Sequence, residues 1–196
     1  DNNTGDQHIA TRTGWDRVET LIDPAACDGE CRDEVFLPLI EKTLAGIKQN
    51  TVLVLHMIGN HGPAYHLRYP ADRAVFKPDC QTAEFSDCKV EEIVNAYDNA
   101  MLETDHVLSA AIDMLSGSDK ALTAMLYVSD HGESLGENGL YLHAAPLFMA
   151  PETQTKVPMV LWFDKAFGDA MQLDGDCLKA EANQPISHDN LFHSML

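Results

Sequence analysis

Basic residues are scarce in this sequence. Its 196 residues include 13 lysines and arginines against 31 aspartates and glutamates, which gives a formal net charge of −18 at pH 7. Nucleic acid is excluded as the main partner because a phosphate backbone requires a basic face. The overall field also provides no attraction to an anionic lipid surface.

Long hydrophobic runs are also missing. No apolar stretch approaches the ~20 residues of a membrane-spanning helix, and no charged segment followed by an apolar one marks a signal peptide. The sequence instead has an ordinary globular composition, with 45% hydrophobic and 22% charged residues. Its length is sufficient for one domain with a sizeable core.

Cysteine is infrequent, and its five positions are informative. Cys27 and Cys31 stand close together in the sequence, as do Cys80 and Cys88, each pair within a short polar segment. Such local pairs predict two disulfides and an oxidising compartment. A structural metal is the weaker alternative, since neither pair has a CxxC partner or a nearby ligating histidine. Cys177 is left over, and the odd count is consistent with a chain cut from something longer.

Strand-like segments alternate with helix-like segments along the chain. This alternation predicts an α/β architecture with a mixed, mainly parallel sheet flanked by helices. Strands are expected at 51–55, 121–128 and 156–163. The last of these is expected to begin late because Pro158 cannot donate to a sheet ladder.

Helices are predicted where apolar residues recur at three- and four-residue steps. They are expected over 33–49, 90–115 and from Ser187 to the C-terminus. Asp33 is the expected N-cap of the first. Residues 64–89 are predicted to form a long irregular excursion containing the Cys80–Cys88 loop, and residues 164–185 are predicted to be an acidic loop.

An Asp-His pair directly follows the predicted strand 121–128. Asp130 and His131 would therefore lie at the carboxyl edge of the sheet, where ligands bind in α/β folds, and both are ordinary zinc ligands. His143 follows later in the same segment, and His61 lies in a Gly-Pro turn after the predicted strand 51–55. The alternative for the pair alone is a polar loop with solvated side chains, and a lone loop histidine is more often a surface residue than a ligand.

The whole segment around this pair is more specific than the pair alone. Residues 129–143, SDHGESLGENGLYLH, closely resemble the metal-site motif of the lipid A phosphoethanolamine transferases, which include the colistin-resistance enzymes. That family belongs to the sulfatase and alkaline phosphatase superfamily. Other segments match it in the same order: DNNTG at 1–5, LHMIGNHGPAYHLRYP at 55–70, NAYDNAMLETD at 95–105 and SHDNLFH at 187–193.

The resemblance implies roles for individual residues. It implies that Asp130 and His131 ligate zinc, and that His61 and His143 bind the phosphoethanolamine group or a second zinc. It also implies that Glu133 meets the ethanolamine ammonium and that Asn3 helps to hold the same group. Two positions depart from the family pattern. Gln7 stands where relatives can have lysine, and Ala144 stands where relatives can have glycine.

The family's nucleophile is a threonine that becomes phosphorylated, and no segment of this sequence matches its motif. We therefore expect residues 1–196 to be the C-terminal portion of a periplasmic sulfatase-like catalytic domain, with the nucleophile-bearing half and the membrane helices upstream. No catalytic nucleophile is assigned within the chain, which alone is expected to bind zinc weakly and to be inactive.

The intact enzyme implied by the resemblance moves phosphoethanolamine from phosphatidylethanolamine to lipid A, which confers polymyxin resistance. It would lie in the inner membrane of a Gram-negative bacterium, with its catalytic domain facing the periplasm. Two alternatives remain open at this point: another hydrolase or phosphotransferase of the superfamily, and a degenerate metal-binding module without catalysis.

Overall fold

The computed structural model describes Cys27 and residues 31–195. A single-turn 3₁₀ helix at Asp33–Phe36 leads into helix α1, Leu37–Gly46. The predicted helix over 33–49 is therefore shorter and begins with a tighter turn. Asp33 is not its N-cap. Its buried carboxylate instead accepts hydrogen bonds from the backbone N–H groups of Ile58 and Gly59, at 3.0 and 2.8 Å.

The segment 51–58 forms neither helix nor strand, contrary to the strand predicted at 51–55. No strand within residues 31–195 pairs with it. Val52 and Val54 are 70% and 52% exposed. The apolar, β-branched composition is typical of a buried strand, but a strand also needs a neighbour to accept its backbone hydrogen bonds.

Residues 59–89 make the predicted irregular excursion, interrupted by 3₁₀ turns at Tyr65–Leu67, Ala71–Arg73 and Phe85–Asp87. The Cys80–Cys88 disulfide closes its last part. Tyr65 and Cys80 pack from this excursion against Ile93 and Ala96 of the following helix to form the buried core cluster.

Helix α2, Val90–Ser116, is the longest element among the described residues and agrees closely with the predicted 90–115. Glu92 stabilises its first turn by accepting the backbone N–H of Lys89 at 2.8 Å, as in a capping box. One face is buried against the rest of the domain and contains Ile93, Ala96, Ala100, Val107 and Ala111. Across the described part of the chain, no helix is long and apolar enough to cross a membrane.

The strands form two antiparallel pairs. Strand β1, Ala124–Val128, pairs with β4, Met159–Phe163, in the register Ala124↔Phe163 to Val128↔Met159. Strand β2, Ser134–Leu135, pairs with β3, Tyr141–Leu142. The predicted mainly parallel arrangement is therefore absent from the described residues. A parallel ladder would have needed 51–55 to pair beside β1, and that segment pairs with no described strand.

The C-terminal third contains short helices, α3 at Glu152–Thr155, α4 at Lys165–Ala170, α5 at Gly175–Glu181 and α6 at His188–Met195. The prediction of an acidic loop over 164–185 is wrong, because two of these helices lie within it. Asp164 and Asp174 cap them by accepting backbone N–H groups of the first turn. Part of the acidic character thus consists of helix caps.

Candidate metal site

Two hydrogen bonds to the backbone of His61 hold it in place. Its N–H donates to Ile58 O at 3.2 Å, and the buried Arg68 donates from Nε to its carbonyl oxygen at 2.9 Å. The adjacent Asn60 accepts a hydrogen bond from the Thr104 hydroxyl on α2 at 2.8 Å. The turn that carries His61 is therefore attached to the longest helix.

His131 follows the end of β1. The Ser129 hydroxyl donates to His131 O at 2.7 Å, and the N–H of Gly132 donates to Gln154 O at 3.0 Å. A Cβ at Gly132 would collide with the carbonyl oxygen of Thr153. Only glycine therefore allows the chain after His131 to approach the segment around α3 this closely.

His143 is placed by the β2–β3 hairpin. The register pairs Ser134 with Leu142, so the next pair outward is Glu133 opposite His143. Their side chains are hydrogen-bonded, with His143 Nδ1 at 2.9 Å from Glu133 Oε1. Leu142 and Ala144, on either side of His143, have positive φ values of 62° and 75°.

These three elements bring the imidazoles of His61, His131 and His143 together. The ring centroids of His131 and His143 are 3.9 Å apart, and that of His61 lies 5.0 Å from His143 and 5.9 Å from His131. One nitrogen from each ring lies within 4.8 Å of the other two. The rings are half-buried, so a small ligand can reach them.

Each Nδ1 in this cluster has a hydrogen-bond acceptor. His61 Nδ1 lies 2.8 Å from Gly62 O, His131 Nδ1 lies 3.1 Å from Gly132 O, and His143 Nδ1 contacts Glu133. A proton on each Nδ1 satisfies all three contacts and leaves each Nε2 with its lone pair. Metal-binding histidines usually have this arrangement, and three converging imidazole nitrogens suit Zn²⁺. The residues present therefore fit a zinc ion.

Asp130 lies at the edge of the cluster. Its side chain is 82% exposed, and its Oδ2 is 3.9 Å from His131 Nε2. The Asp130 carboxylate and the His131 imidazole thus face the same space, although the three-histidine group does not include the aspartate. Asn3, predicted to bind the same group, lies outside the described residues.

Glu133 faces inward toward protein groups, and its expected contact with a substrate ammonium stays a prediction. Its carboxylate is buried, and it accepts hydrogen bonds from the Tyr65 hydroxyl at 3.1 Å and from Gly62 N–H at 3.4 Å as well as from His143. Burial and the Glu133 carboxylate raise the pKa of Tyr65 well above its usual value, so the hydroxyl stays protonated. Sequence reasoning missed Tyr65, because no local pattern marks it as part of this site. It treated Arg68 as a surface arginine that could meet phosphate, whereas the structure buries it.

The structure contains both expected disulfides, Cys27–Cys31 and Cys80–Cys88. The first lies at the start of the described residues, next to the Asp33 turn. The second closes the excursion that carries Tyr65. Cys177 is exposed and free.

Comparison with known proteins places the chain in a family. The sulfatase family profile matches residues 2–196. The phosphoethanolamine transferase EptA of Salmonella typhimurium is 44% identical over 100% of this chain and 36% of its own length. The phosphatidylethanolamine transferase Mcr-1 of Escherichia coli is 45% identical over 71% of this chain and 26% of its own length. The chain thus spans about a quarter to a third of the length of these curated relatives.

Solved structures give the same result. The soluble domain of lipooligosaccharide phosphoethanolamine transferase A from Neisseria meningitidis superposes with a TM-score of 0.87 at 41% identity, over 96% of this chain and 57% of that one. The integral membrane protein EptA from the same species superposes with a TM-score of 0.78 at 43% identity, over 82% of this chain and 30% of that one. The periplasmic domain of Escherichia coli EptC, in complex with zinc, superposes with a TM-score of 0.61 at 21% identity, over 81% of this chain and 43% of that one. At this identity the match shows a common fold.

The predicted α/β sulfatase-like fold and the resemblance drawn from the motifs are both confirmed by these matches. The chain belongs to the sulfatase family, in which its close relatives are named phosphoethanolamine transferases.

Proposed function

We propose that this chain is the C-terminal portion of the catalytic domain of a zinc-dependent phosphoethanolamine transferase. The observation that carries the proposal is the convergence of three imidazoles, with one nitrogen of each within 4.8 Å of the other two, beside the Asp130 carboxylate. The relatives' names identify the group that those proteins transfer, and Mcr-1 is named for a phosphatidylethanolamine donor.

Zinc is the proposed cofactor, held by Asp130 and His131. A bound zinc ion supplies positive charge that stabilises a transferring phosphoryl group and lowers the pKa of a hydroxyl nucleophile. His61 and His143 lie close enough to the same space to bind a second zinc or the substrate phosphate. This local positive charge is needed because the chain as a whole carries a net charge of −18.

The proposed role of the chain's own residues is to bind and orient the substrate phosphate. The histidines present nitrogen atoms from three separate segments, so a phosphate is enclosed from several sides. The Glu133 carboxylate orients His143 by its contact with Nδ1 at 2.9 Å. Glu133 thereby supports substrate binding through His143, and it is also the proposed contact to the ethanolamine ammonium. Asn3 is retained as a proposed contact to the same group.

For the whole protein we propose transfer of phosphoethanolamine to lipid A through a phosphothreonine intermediate. The expected location is the inner membrane, with the catalytic domain in the periplasm. The threonine is expected outside these 196 residues, so the chain alone is predicted to bind zinc without catalysing transfer. Its 36% coverage of the curated relatives supports this division.

Metal analysis of purified variants tests the zinc site. His131→Ala and Asp130→Ala are expected to lower the zinc content after dialysis against a zinc buffer, because each removes a ligand. His106→Ala is the control, since His106 sits on α2 and contacts Glu34 at 3.5 Å. Unchanged zinc in the His131 variant would contradict the proposal.

Activity is tested on the longer protein that contains this chain, with phosphatidylethanolamine as donor and lipid A as acceptor. Transfer that disappears in His131→Ala and persists in His106→Ala is the expected result. Hydrolysis of a sulfate ester without transfer would instead favour another activity of the sulfatase family.

A further inference from the structure

Tyr65 is a buried polar residue that the proposed chemistry does not use. It is 1% exposed, in the 3₁₀ turn that follows the His61 loop. Its ring stacks on Phe85 at a centroid distance of 5.7 Å and meets Tyr97 edge-on at 5.3 Å. Its hydroxyl, however, donates a hydrogen bond to Glu133 Oε2 at 3.1 Å.

The two oxygens of Glu133 have different partners. Oε2 accepts from Tyr65, whereas Oε1 accepts from Gly62 N–H at 3.4 Å and contacts His143 Nδ1 at 2.9 Å. The Tyr65 bond therefore fixes the rotation of the carboxylate, and with it the direction in which Oε1 faces. Without the hydroxyl, Oε2 would be buried with one partner fewer, which costs free energy and favours rotation of the carboxylate.

The orientation of Oε1 in turn determines which nitrogen of His143 carries the proton. An acceptor at Nδ1 places the proton there and leaves the Nε2 lone pair for a ligand. His143 needs such support because the neighbouring Leu142 and Ala144 both adopt positive φ values, so its own backbone segment is not in a relaxed conformation.

We propose that Tyr65 is a positioning residue that acts through Glu133 to hold the His143 imidazole in the group with His61 and His131, and so sets the affinity of this three-histidine group for a divalent cation. The proposal rests on the proposed function, in which His61 and His143 bind a second zinc beside the one held by Asp130 and His131. The hydrogen-bond relay from Tyr65 to Glu133 to His143 joins three residues from separate parts of the chain.

Tyr65→Phe separates this role from packing, because it keeps the ring and removes only the hydroxyl. Tyr69→Phe is a matched control. Tyr69 is also buried, and its hydroxyl also donates to a carboxylate, Asp79 Oδ2 at 2.6 Å, which bonds to none of the three histidines. Both variants lose one buried hydroxyl–carboxylate bond, so a general loss of stability affects both.

The first measurement is zinc affinity of the full chain, by competition with a chromophoric chelator. Removing an outer partner of a metal ligand costs about 10- to 100-fold in affinity, and we expect about tenfold for Tyr65→Phe. Tyr69→Phe is expected to stay within about twofold of the unmodified chain. Equal losses in both variants would overturn the proposal, because they would show a structural effect alone.

A double-mutant cycle tests whether Tyr65 acts through Glu133. If it does, Tyr65→Phe adds little further loss of zinc affinity in a Glu133→Gln background. Independent, additive losses would contradict the relay even if each variant binds zinc more weakly.

The second measurement needs no metal. Nitrogen-15 NMR of the metal-free chain reports which ring nitrogen of His143 is protonated, and we expect the Nδ1–H form to lose population in Tyr65→Phe and not in Tyr69→Phe. An unchanged His143 signal would overturn the proposal. Failure of the unmodified chain to bind zinc would instead count against the proposed function, while this NMR comparison would still decide the role of Tyr65.

Discussion

At the scale of single residues, the site depends on a position with no room for a side chain. Gly132 lies directly after His131, and a Cβ there would meet the backbone carbonyl of Thr153. Backbone atoms cannot move aside as the end of a long side chain can. The predicted consequence is that Gly132→Ala separates the β1 end from the α3 segment.

We expect Gly132→Ala to lower the free energy of unfolding by about 1–3 kcal/mol, the range for overpacking, and to weaken zinc binding by moving His131. Urea denaturation measures the first effect. Gly46→Ala is the control, because a Cβ at Gly46 meets no atom within 4 Å. A Gly132 variant as stable as the Gly46 variant would show that the close approach is not required.

Ala144 is strained for a different reason. Its φ of 75° lies in the left-handed region, which costs a residue with a Cβ about 1–2 kcal/mol. Ala144→Gly removes that cost but adds unfolded-chain entropy of about 0.5–1 kcal/mol. We expect a net stabilisation of about 0.5–1 kcal/mol by thermal unfolding. Ala145→Gly, which has no positive φ, should destabilise, and the same sign for both variants would refute the explanation.

At the scale of elements, α2 organises the excursion before it. Asn99 on this helix is 1% exposed, and its side chain accepts from the N–H groups of Val75 and Phe76 at 2.8 and 2.9 Å. Its amide also donates to Phe76 O at 3.0 Å. One side chain therefore replaces the backbone partners that an irregular segment lacks.

Asn99→Ala removes the side-chain partner of these part-buried groups, and we expect a loss of about 2 kcal/mol in the free energy of unfolding. Asn95→Ala is matched to it, because Asn95 makes one exposed bond to Pro78 O at 2.7 Å. Its expected cost is about 1 kcal/mol or less. Equal midpoints in a denaturant titration would contradict the assigned role.

Asp164 couples β1 to α4. Hydrogen bonds from the Phe167 and Thr123 backbones lower its pKa below the usual value, with a smaller contribution from the Thr123 hydroxyl. Because the folded pKa is the lower one, its stabilising contribution is complete above the unfolded pKa of about 3.9 and is lost as pH falls through the folded pKa.

Asp164→Asn should therefore be less stable than the unmodified chain at pH 7, and the difference should narrow below about pH 4. Thermal unfolding across this pH range tests it, with Asp169→Asn as control since that carboxylate makes only an exposed pair with Lys165. A stability difference between Asp164→Asn and the unmodified chain that grows below about pH 4 would contradict the lowered pKa of Asp164.

At the scale of the whole molecule, the net charge of −18 opposes compaction. Local ion pairs, such as Arg73 with Glu103 at 2.7 Å and Glu34 at 2.6 Å, offset part of the repulsion. Salt weakens both effects, but long-range repulsion among exposed charges is screened more than half-buried pairs.

We therefore expect the melting temperature to rise when NaCl is increased from about 10 mM to about 300 mM, where the screening length falls to several ångström. KCl at the same ionic strength should give the same increase, because screening does not depend on the cation. A lower melting temperature in salt would show that the ion pairs outweigh the repulsion.

The amino-acid sequence alone determined the features that depend on local spacing. The repeat of apolar residues predicted α2 nearly to its ends, and the cysteine spacing predicted both disulfides. Three of the proposed site residues, His61, His131 and His143, were named from strand ends and from the family motif, and the structure brings their rings together.

Only the tertiary structure decided which distant groups meet. Tyr65 and Glu133 are 68 residues apart, and Asp33 holds Gly59 across 26 residues. The antiparallel pairing of β1 with β4 and the absence of a strand at 51–55 also depend on which partner each segment finds. The spacing of apolar residues shows a repeat of two residues in a strand or 3.6 residues in a helix. A hydrogen bond between remote side chains, in contrast, exists only after packing has brought them together.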